Sequence, residues 1–501
     1  MLFLQLPTLM EVKMLPIIPK PREQKILSQK TYDYELGSAR MLQDDSIPSS
    51  GYALTINDDG ILIKASDEKG FYYAGVTLKN LSELGALPNV EVLDYPRYQY
   101  RGYMLDCARH YHSIDAIKKI IDGIARFKIN IFHWHLTDDQ GWRIQVDKYP
   151  LLTSLASYRD GTRGDGKPVH GYYTKEEMRE IVEYCKQYHI DVLPEFDIPG
   201  HTAAAISVYP ELDCFNTKID VKDSFGIHPE VLCAGKESSV EFCKNVLKEM
   251  FEIFPFELIH LGGDEALRLH WLDCQDCQRE MAENGLKDED ELQAHFMAKL
   301  ARFCLENGKT VINWNDGMVG ENVDDSIIVH YWQTAPVNKE AAIREINRGK
   351  KGIISPFFNY YLDYPYGMTP LKKTFALNPE IEGIEKTENI LGVEAPLWAE
   401  YVKCEEDIHR QTFPRLLAVA ERGWSDYHTD YKDFLARVKY NYKIIDNVGI
   451  KCVTINKVDP NPFGKVLSLL KFFSNAWDKT QLRNAKNVAE NKRRLKQKYG
   501  K

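Results

Sequence analysis

What most constrains this chain is an alternation of two unlike pieces. From Arg101 onward, short apolar runs recur at 103–107, 129–136, 190–196, 258–262, 310–314, 327–332, 352–357 and 390–398. Longer stretches of helical period separate them, as at 114–127, 175–188, 240–254 and 291–306. Strands that alternate with helices are joined by crossovers and therefore run parallel. Eight such units in succession predict an α/β fold, a (β/α)8 TIM barrel rather than an open sheet.

The flanks read differently. Residues 1–96 predict a small N-terminal α/β accessory domain. Tyr52-Ala-Leu-Thr-Ile56 alternates as a strand does, Asp58-Asp59-Gly60 is a turn signal before Ile61-Leu-Ile-Lys64, and 70–84 has helical period. The barrel is assigned to 97–445, its last part carrying helices at 412–420 and 432–442, and 446–501 to a C-terminal helical extension. The tail is basic (Lys479, Arg483, Lys486, Lys492, Arg493, Arg494, Lys496, Lys498, Lys501) and reads as a solvated terminal helix.

Composition narrows the partners. A net charge of −9 argues against a general nucleic-acid binder. No apolar run approaches the roughly 20 residues that span a bilayer, so no transmembrane segment is expected. Residues 1–14 are apolar, with no basic residue before the run and no small-residue cleavage site, and make a poor signal peptide. The compartment is cytoplasmic if Met1 is the true start. Ten cysteines in 501 residues is not a disulfide-scaffold density, and Cys107, Cys185 and Cys304 read as core thiols. Cys274-Gln-Asp-Cys277 lacks a second pair at zinc spacing and reads as a loop staple or two free thiols.

In a TIM barrel, chemistry sits at the C-terminal ends of the strands. Here polar and aromatic residues collect where each run stops: Asp106, Arg109 and His110; His133, His135, Asp138 and Asp139; Glu195, Asp197 and His201; Asp264 and Glu265. Trp314 and Asp316, Trp332, Tyr361 and Asp363, and Trp398 and Glu400 follow in the later units. Ile259-His-Leu-Gly-Gly-Asp-Glu265 is the sharpest piece. Adjacent carboxylates point to opposite faces of a regular strand, but Gly262 and Gly263 let the backbone leave strand geometry. Two nearby carboxylates repel, so one tends to keep its proton, as a general acid must. The alternative is an exposed acidic turn. Trp314, Trp332, Trp398 and Tyr361 suit the apolar face of a sugar ring, with carboxylates and arginine for its hydroxyls.

At these residues the chain resembles glycoside hydrolase family 20, the β-N-acetylhexosaminidases. The matching segments are Arg101-Gly-Tyr-Met-Leu-Asp-Cys-Ala-Arg-His110, Phe132-His-Trp-His-Leu-Thr-Asp-Asp139, residues 194–201, His260-Leu-Gly-Gly-Asp-Glu265, Tyr361-Leu-Asp363 and Leu397-Trp-Ala-Glu-Tyr-Val402. Ile17-Ile-Pro-Lys-Pro21 matches the family's accessory domain near its first strand. The resemblance implies a retaining exo-glycosidase that removes terminal β-linked N-acetylhexosamine (GlcNAc or GalNAc) from a glycan or glycoconjugate. The substrate's acetamide is the nucleophile, and an oxazolinium forms. It implies Glu265 as general acid/base and Asp264 as the residue that orients the acetamide. By the same resemblance Tyr361 bonds the acetamide carbonyl, and Trp314, Trp332 and Trp398 wall it. Arg109, Asp363 and Glu400 hold hydroxyls, and Asp138 with His201 orients the acid end. No cofactor or metal is implied, and many relatives are exported, which makes a periplasmic or exported location the alternative. Subsite loops choose the glycan, and neither linkage nor oligomeric state is read from the sequence.

Two other readings compete. His133 and His135, at i and i+2 on one strand, face one side and can share a metal with Asp138, Asp139 and His201, which would make a metal-dependent TIM-barrel hydrolase. The other is a barrel that binds sugar without cutting it. The Asp264-Glu265 pair argues against that, because a binder needs no acid.

Overall fold

A computed structural model describes residues 15–85, 87–161, 165–426, 428–476 and 479–499. The apolar segment 1–14, read as a poor signal peptide, and Lys501 lie outside the described residues. Eight parallel strands close a barrel: Tyr100–Asp106, Ile131–His135, Asp191–Glu195, Leu258–His260, Thr310–Trp314, Ile328–Tyr331, Gly352–Ile354 and Ile390–Leu397. Each pairs with its successor, and the last returns to the first with Gly392 opposite Tyr100. A Cβ at position 392 would lie 1.7 Å from the Tyr100 carbonyl oxygen, so the seam closes only around glycine. Every strand lies within its predicted run or overlaps it. Most are shorter, because the run's last residues have already turned into the loop.

The crossover helices fall where the helical period places them. Ile114–Ala125 is capped by the Ser113 hydroxyl, and Ile117, Ile120, Ile121 and Ile124 on its inner face join the main core. Lys175–Lys186 starts on a Thr174/Glu177 capping box. Glu237–Phe251 and Glu289–Glu306 complete the next two units. Cys107, Cys185 and Cys304 are buried in the same core.

The N-terminal unit is a five-stranded sheet with one helix, Glu68–Leu84. That helix begins before residue 70 because Asp67 caps it, its carboxylate accepting from the Gly70 N–H at 2.8 Å. Buried polar contacts fasten this unit to the barrel, the Asp94 cluster among them. Lys128 Nζ donates to Asp94 Oδ2 at 2.7 Å and to the Tyr52 hydroxyl at 2.9 Å, and Trp424 Nε1–H donates to Asp94 Oδ1 at 2.8 Å. Removing one partner of a buried pair strands the other charge, so Asp94→Ala is expected to cost about 3–5 kcal/mol in denaturant unfolding. An unchanged denaturation midpoint would refute this role.

Helices Arg415–Trp424, Tyr431–Asn447, Pro462–Ala476 and Lys479–Tyr499 follow the barrel. The basic terminal helix is not merely solvated, as its charge pattern suggested. Asn491 is buried and accepts from the Arg268 N–H at 3.1 Å, Arg494 pairs with Asp273 at 2.8 Å, and Lys498 with Glu289 at 2.8 Å. The helix therefore docks on the loop that follows the fourth strand. Among the described residues no helix is long and apolar enough to cross a membrane.

Candidate active site

The fourth strand ends at His260, and the next five residues leave strand geometry as the paired glycines predict. Gly262 and Gly263 have φ of 62° and 97°. A Cβ at 262 would lie 1.6 Å from Asp197 Oδ1, and one at 263 would lie 2.6 Å from Asn313 Nδ2. Glycine is thus required twice over, by φ and by space. Glu265 itself adopts a φ of 49°. The turn is held from outside by Gln293 Nε2–H on the Gly263 carbonyl at 2.7 Å and Asn313 Nδ2–H on the Gly262 carbonyl at 3.1 Å.

Both carboxylates turn into one cavity at the C-terminal mouth of the barrel. It is lined by Arg109, Asp264, Glu265, Trp332, Tyr361, Asp363, Trp398 and Glu400, all foreseen from their strand ends, together with Phe357 and Tyr364. The two acids differ in depth. The Asp264 side chain is 8% exposed and the Glu265 side chain 28%, so Asp264 sits inside the pocket and Glu265 at its rim. His201, with φ 52°, places Nε2 4.0 Å from Asp264 Oδ2 and 3.6 Å from Glu265 Oε2. Its Nδ1 lies 3.2 Å from Asp138 Oδ1. Asp138 and His201 therefore stand behind the acids and do not line the cavity.

Trp314, Trp332, Tyr361 and Trp398 form one cluster together with Met104. Trp332 and Tyr361 stack with ring centroids 5.8 Å apart and planes at 15°. Trp314 is fully buried beneath the lining, its Nε1–H donating to Glu195 Oε1 at 2.8 Å. Arg109 is fixed from three sides: by Asp106 at 3.1 Å, by Asp138 at 2.9 Å and by the Trp398 ring 4.8 Å beneath its guanidinium. Glu400 lies 3.8 Å from its Nε. Asp106 also accepts from the Ala399 N–H at 2.9 Å, which ties the first strand's end to the eighth. Its place at a run's end was legible; that clamp was not.

The pocket holds more carboxyl groups than cations to balance them. Burial lifts Asp264 to about 7, against the pull of His201 and with help from Glu265. Burial, then Asp264 and Glu265, push Asp316 up to about 8, and Trp332 Nε1–H donates to it at 2.7 Å. Burial, then Glu400, raises Asp363 well above the carboxylate range. Burial would depress His201, yet Asp138 and its other acidic neighbours outweigh it and raise this imidazole well above 6.5. Asp264 Oδ1 and Asp363 Oδ1 are buried with no hydrogen-bond partner in the protein. An orphaned buried acceptor costs about 1–3 kcal/mol, so two of them in one pocket mark where a ligand's donors belong.

His133 and His135 do share a side of their strand, but carboxylates face both ring nitrogens of each. His133 Nδ1 lies 2.8 Å from Glu394 and Nε2 3.2 Å from Glu195. His135 Nε2 lies 2.9 Å from Asp138, and Nδ1 bonds Glu195. Burial alone would lift Glu394, but His133 and His330 hold it down at about 2. Burial alone would lower His133, but Glu394 and Glu195 push it up to about 9. The two histidines and their carboxylates thus form an ion-paired layer under the pocket. Glu394 was missed because it is one charge inside the apolar run 390–398.

Comparison with known proteins agrees with this geometry. Residues 98–427 match the model described as glycosyl hydrolase family 20, catalytic domain, and residues 19–95 match family 20, domain 2. A "Beta-hexosaminidase" of Porphyromonas gingivalis is 37% identical over 435 residues, which is 81% of this chain but only 55% of that protein. A "Beta-hexosaminidase" of Akkermansia muciniphila is 35% identical, covering 82% of this chain and 86% of that one. A crystal structure of a β-N-acetylhexosaminidase superposes with TM-score 0.79 at 33% identity, covering 86% and 95% of the two chains. An exo β-N-acetylglucosaminidase from Vibrio harveyi, solved in complex with N-acetylglucosamine, gives 0.78 at 27% identity, covering 88% and 78%. With its barrel and its N-terminal unit both matched, the chain belongs to glycosyl hydrolase family 20.

Proposed function

We propose that the protein is a β-N-acetylhexosaminidase, a retaining exo-glycosidase that releases terminal β-linked N-acetylhexosamine by substrate-assisted catalysis. The observation that carries this is the pairing of a deep, orphaned Asp264 carboxylate inside an aromatic cage with a rim carboxylate, Glu265. The 2-acetamido group enters the cage between Trp332, Tyr361 and Trp398. Its N–H donates to Asp264 and its carbonyl accepts from the Tyr361 hydroxyl. The carbonyl oxygen then attacks the anomeric carbon from within the same molecule, which replaces a protein nucleophile by effective concentration.

Glu265, at the rim, reaches the glycosidic oxygen and protonates the departing group. Positive charge that develops on the oxazolinium meets the Asp264 carboxylate, which is set in place before reaction begins. Glu265 then deprotonates the water that reopens the ring. Arg109, Asp363 and Glu400 hold the sugar's hydroxyls, so the closed end of the pocket accepts a chain terminus. Asp138 and His201 keep the acid end in register, with Trp314 as the floor. In this reading residues 1–96 act as a support unit, 97–445 as the catalytic barrel and 446–501 as a helical extension.

Retention tests the chemistry directly. Proton NMR of the first-formed product from an aryl β-N-acetylglucosaminide should show the β-anomer before mutarotation. An α-anomer at first observation would mean direct attack by water and would overturn the proposal.

A further inference from the structure

The fold assembles a cysteine cluster that the sequence does not display. Cys214 and Cys233 belong to the loop after the third barrel strand, and Cys274 and Cys277 to the start of the helix Gln275–Asn284 in the segment after the fourth. All four are buried, and their sulfur atoms lie within 4.8 Å of one another. Cys233 Sγ is 3.7 Å from Cys274 Sγ and 3.6 Å from Cys277 Sγ, and Cys214 Sγ is 3.9 Å from Cys277 Sγ.

These distances discriminate between chemistries. A disulfide needs sulfurs about 2.05 Å apart. Four thiolates around a tetrahedral ion with metal–sulfur bonds of about 2.3 Å sit on edges of about 3.8 Å. The three separations scatter about that edge length. The donor set is all sulfur and closed, with no position left for water, as in structural rather than catalytic zinc sites. The surroundings fix the sulfurs from behind. Trp271 Nε1–H donates to the Leu232 carbonyl at 3.0 Å, the Cys233 N–H to Leu212 at 2.8 Å, and His270 Nδ1 lies 3.0 Å from Asp213. Lys236 Nζ donates to the carbonyl of Asp213, the residue before Cys214, at 2.6 Å.

We propose that Cys214, Cys233, Cys274 and Cys277 hold one structural zinc ion that staples the loop carrying His201 to the loop carrying Asp264 and Glu265. Binding exchanges four thiol protons for the ion, the protons leave to solvent, and nothing is oxidised. The ion thereby fixes the distance between the histidine and the two acids, a positioning role distant from the reacting atoms. The metal assignment stands independently of the glycosidase reading.

The test is metal analysis of the full-length wild-type protein, produced with zinc in the medium and purified without chelator. The expected content is about one zinc per chain, falling to about a tenth or less in Cys274→Ser/Cys277→Ser. Cobalt loaded into reduced, metal-stripped wild-type protein should give the intense thiolate-to-metal absorption of a tetrahedral sulfur site. The wild-type measurements decide the matter even if the double variant fails to fold. Wild-type protein that carries no zinc and takes up neither metal after reduction would overturn the proposal. Mass-spectrometric detection of disulfides among these four residues in freshly purified protein would overturn it equally.

Discussion

Glu265→Gln is expected to lower kcat about 10²–10⁴-fold on an aryl β-N-acetylglucosaminide whose phenol is a poor leaving group, while KM stays close to wild type. The amide keeps the size of the side chain and its place 3.6 Å from His201, so binding survives, but it cannot deliver the proton. A sharper signature lies in the leaving group. A strongly acidic phenol departs without protonation, so the loss in the glycosylation step should shrink as the leaving group's pKa falls. A variant with full activity on every leaving group would show that another group is the acid.

Asp264→Asn is the second large effect, expected at about 10²–10³-fold in kcat, the scale of losing one aligned electrostatic partner of a transition state. Here the loss should not depend on the leaving group, because Asp264 serves the nucleophile and the charge, not the departing oxygen. Its titration adds a pH test. In the free protein burial raises Asp264 to about 7, above the 3.8 of an ordinary aspartate. The carboxylate must be ionised to face a cation, so kcat/KM should fall as pH drops through about 7, and that limb should vanish in the variant. Stability runs the other way. The folded state binds this proton more tightly than the unfolded chain, so stability declines as pH rises from about 3.8 to about 7, and the penalty is complete above that window. Asp264→Asn should therefore raise Tm above pH 7 while it removes activity, the usual exchange at a functional site. A limb that persists in the variant would assign it to another group.

The parts of this molecule legible from sequence are those governed by local periodicity. Strand after strand matched its apolar run, and the residues at run ends met at one mouth, because a parallel barrel puts all those ends on one side. The glycine pair announced its turn, although the reasons for it, Asp197 and Asn313 pressing on positions 262 and 263, are contacts between distant segments. What stayed hidden depends on three-dimensional proximity. Tyr364 lines the pocket from a loop whose path no period encodes, and Phe357, though it closes its run, was not singled out. Glu394 is one charge in an apolar strand, and its partners His133 and Tyr100 come from other strands. Cys274 and Cys277 looked like an isolated pair because Cys214 and Cys233 arrive from another loop. The basic tail looked solvated because its acidic partners, Asp273 and Glu289, lie some two hundred residues upstream.

The most direct measurement sets two aryl glycosides side by side, the β-N-acetylglucosaminide and the plain β-glucoside, which differ only in the acetamide at C2. Cleavage of the first with no detectable turnover of the second is predicted, because the plain sugar carries no nucleophile. Comparable cleavage of both would mean that the protein supplies the nucleophile, and would contradict the account.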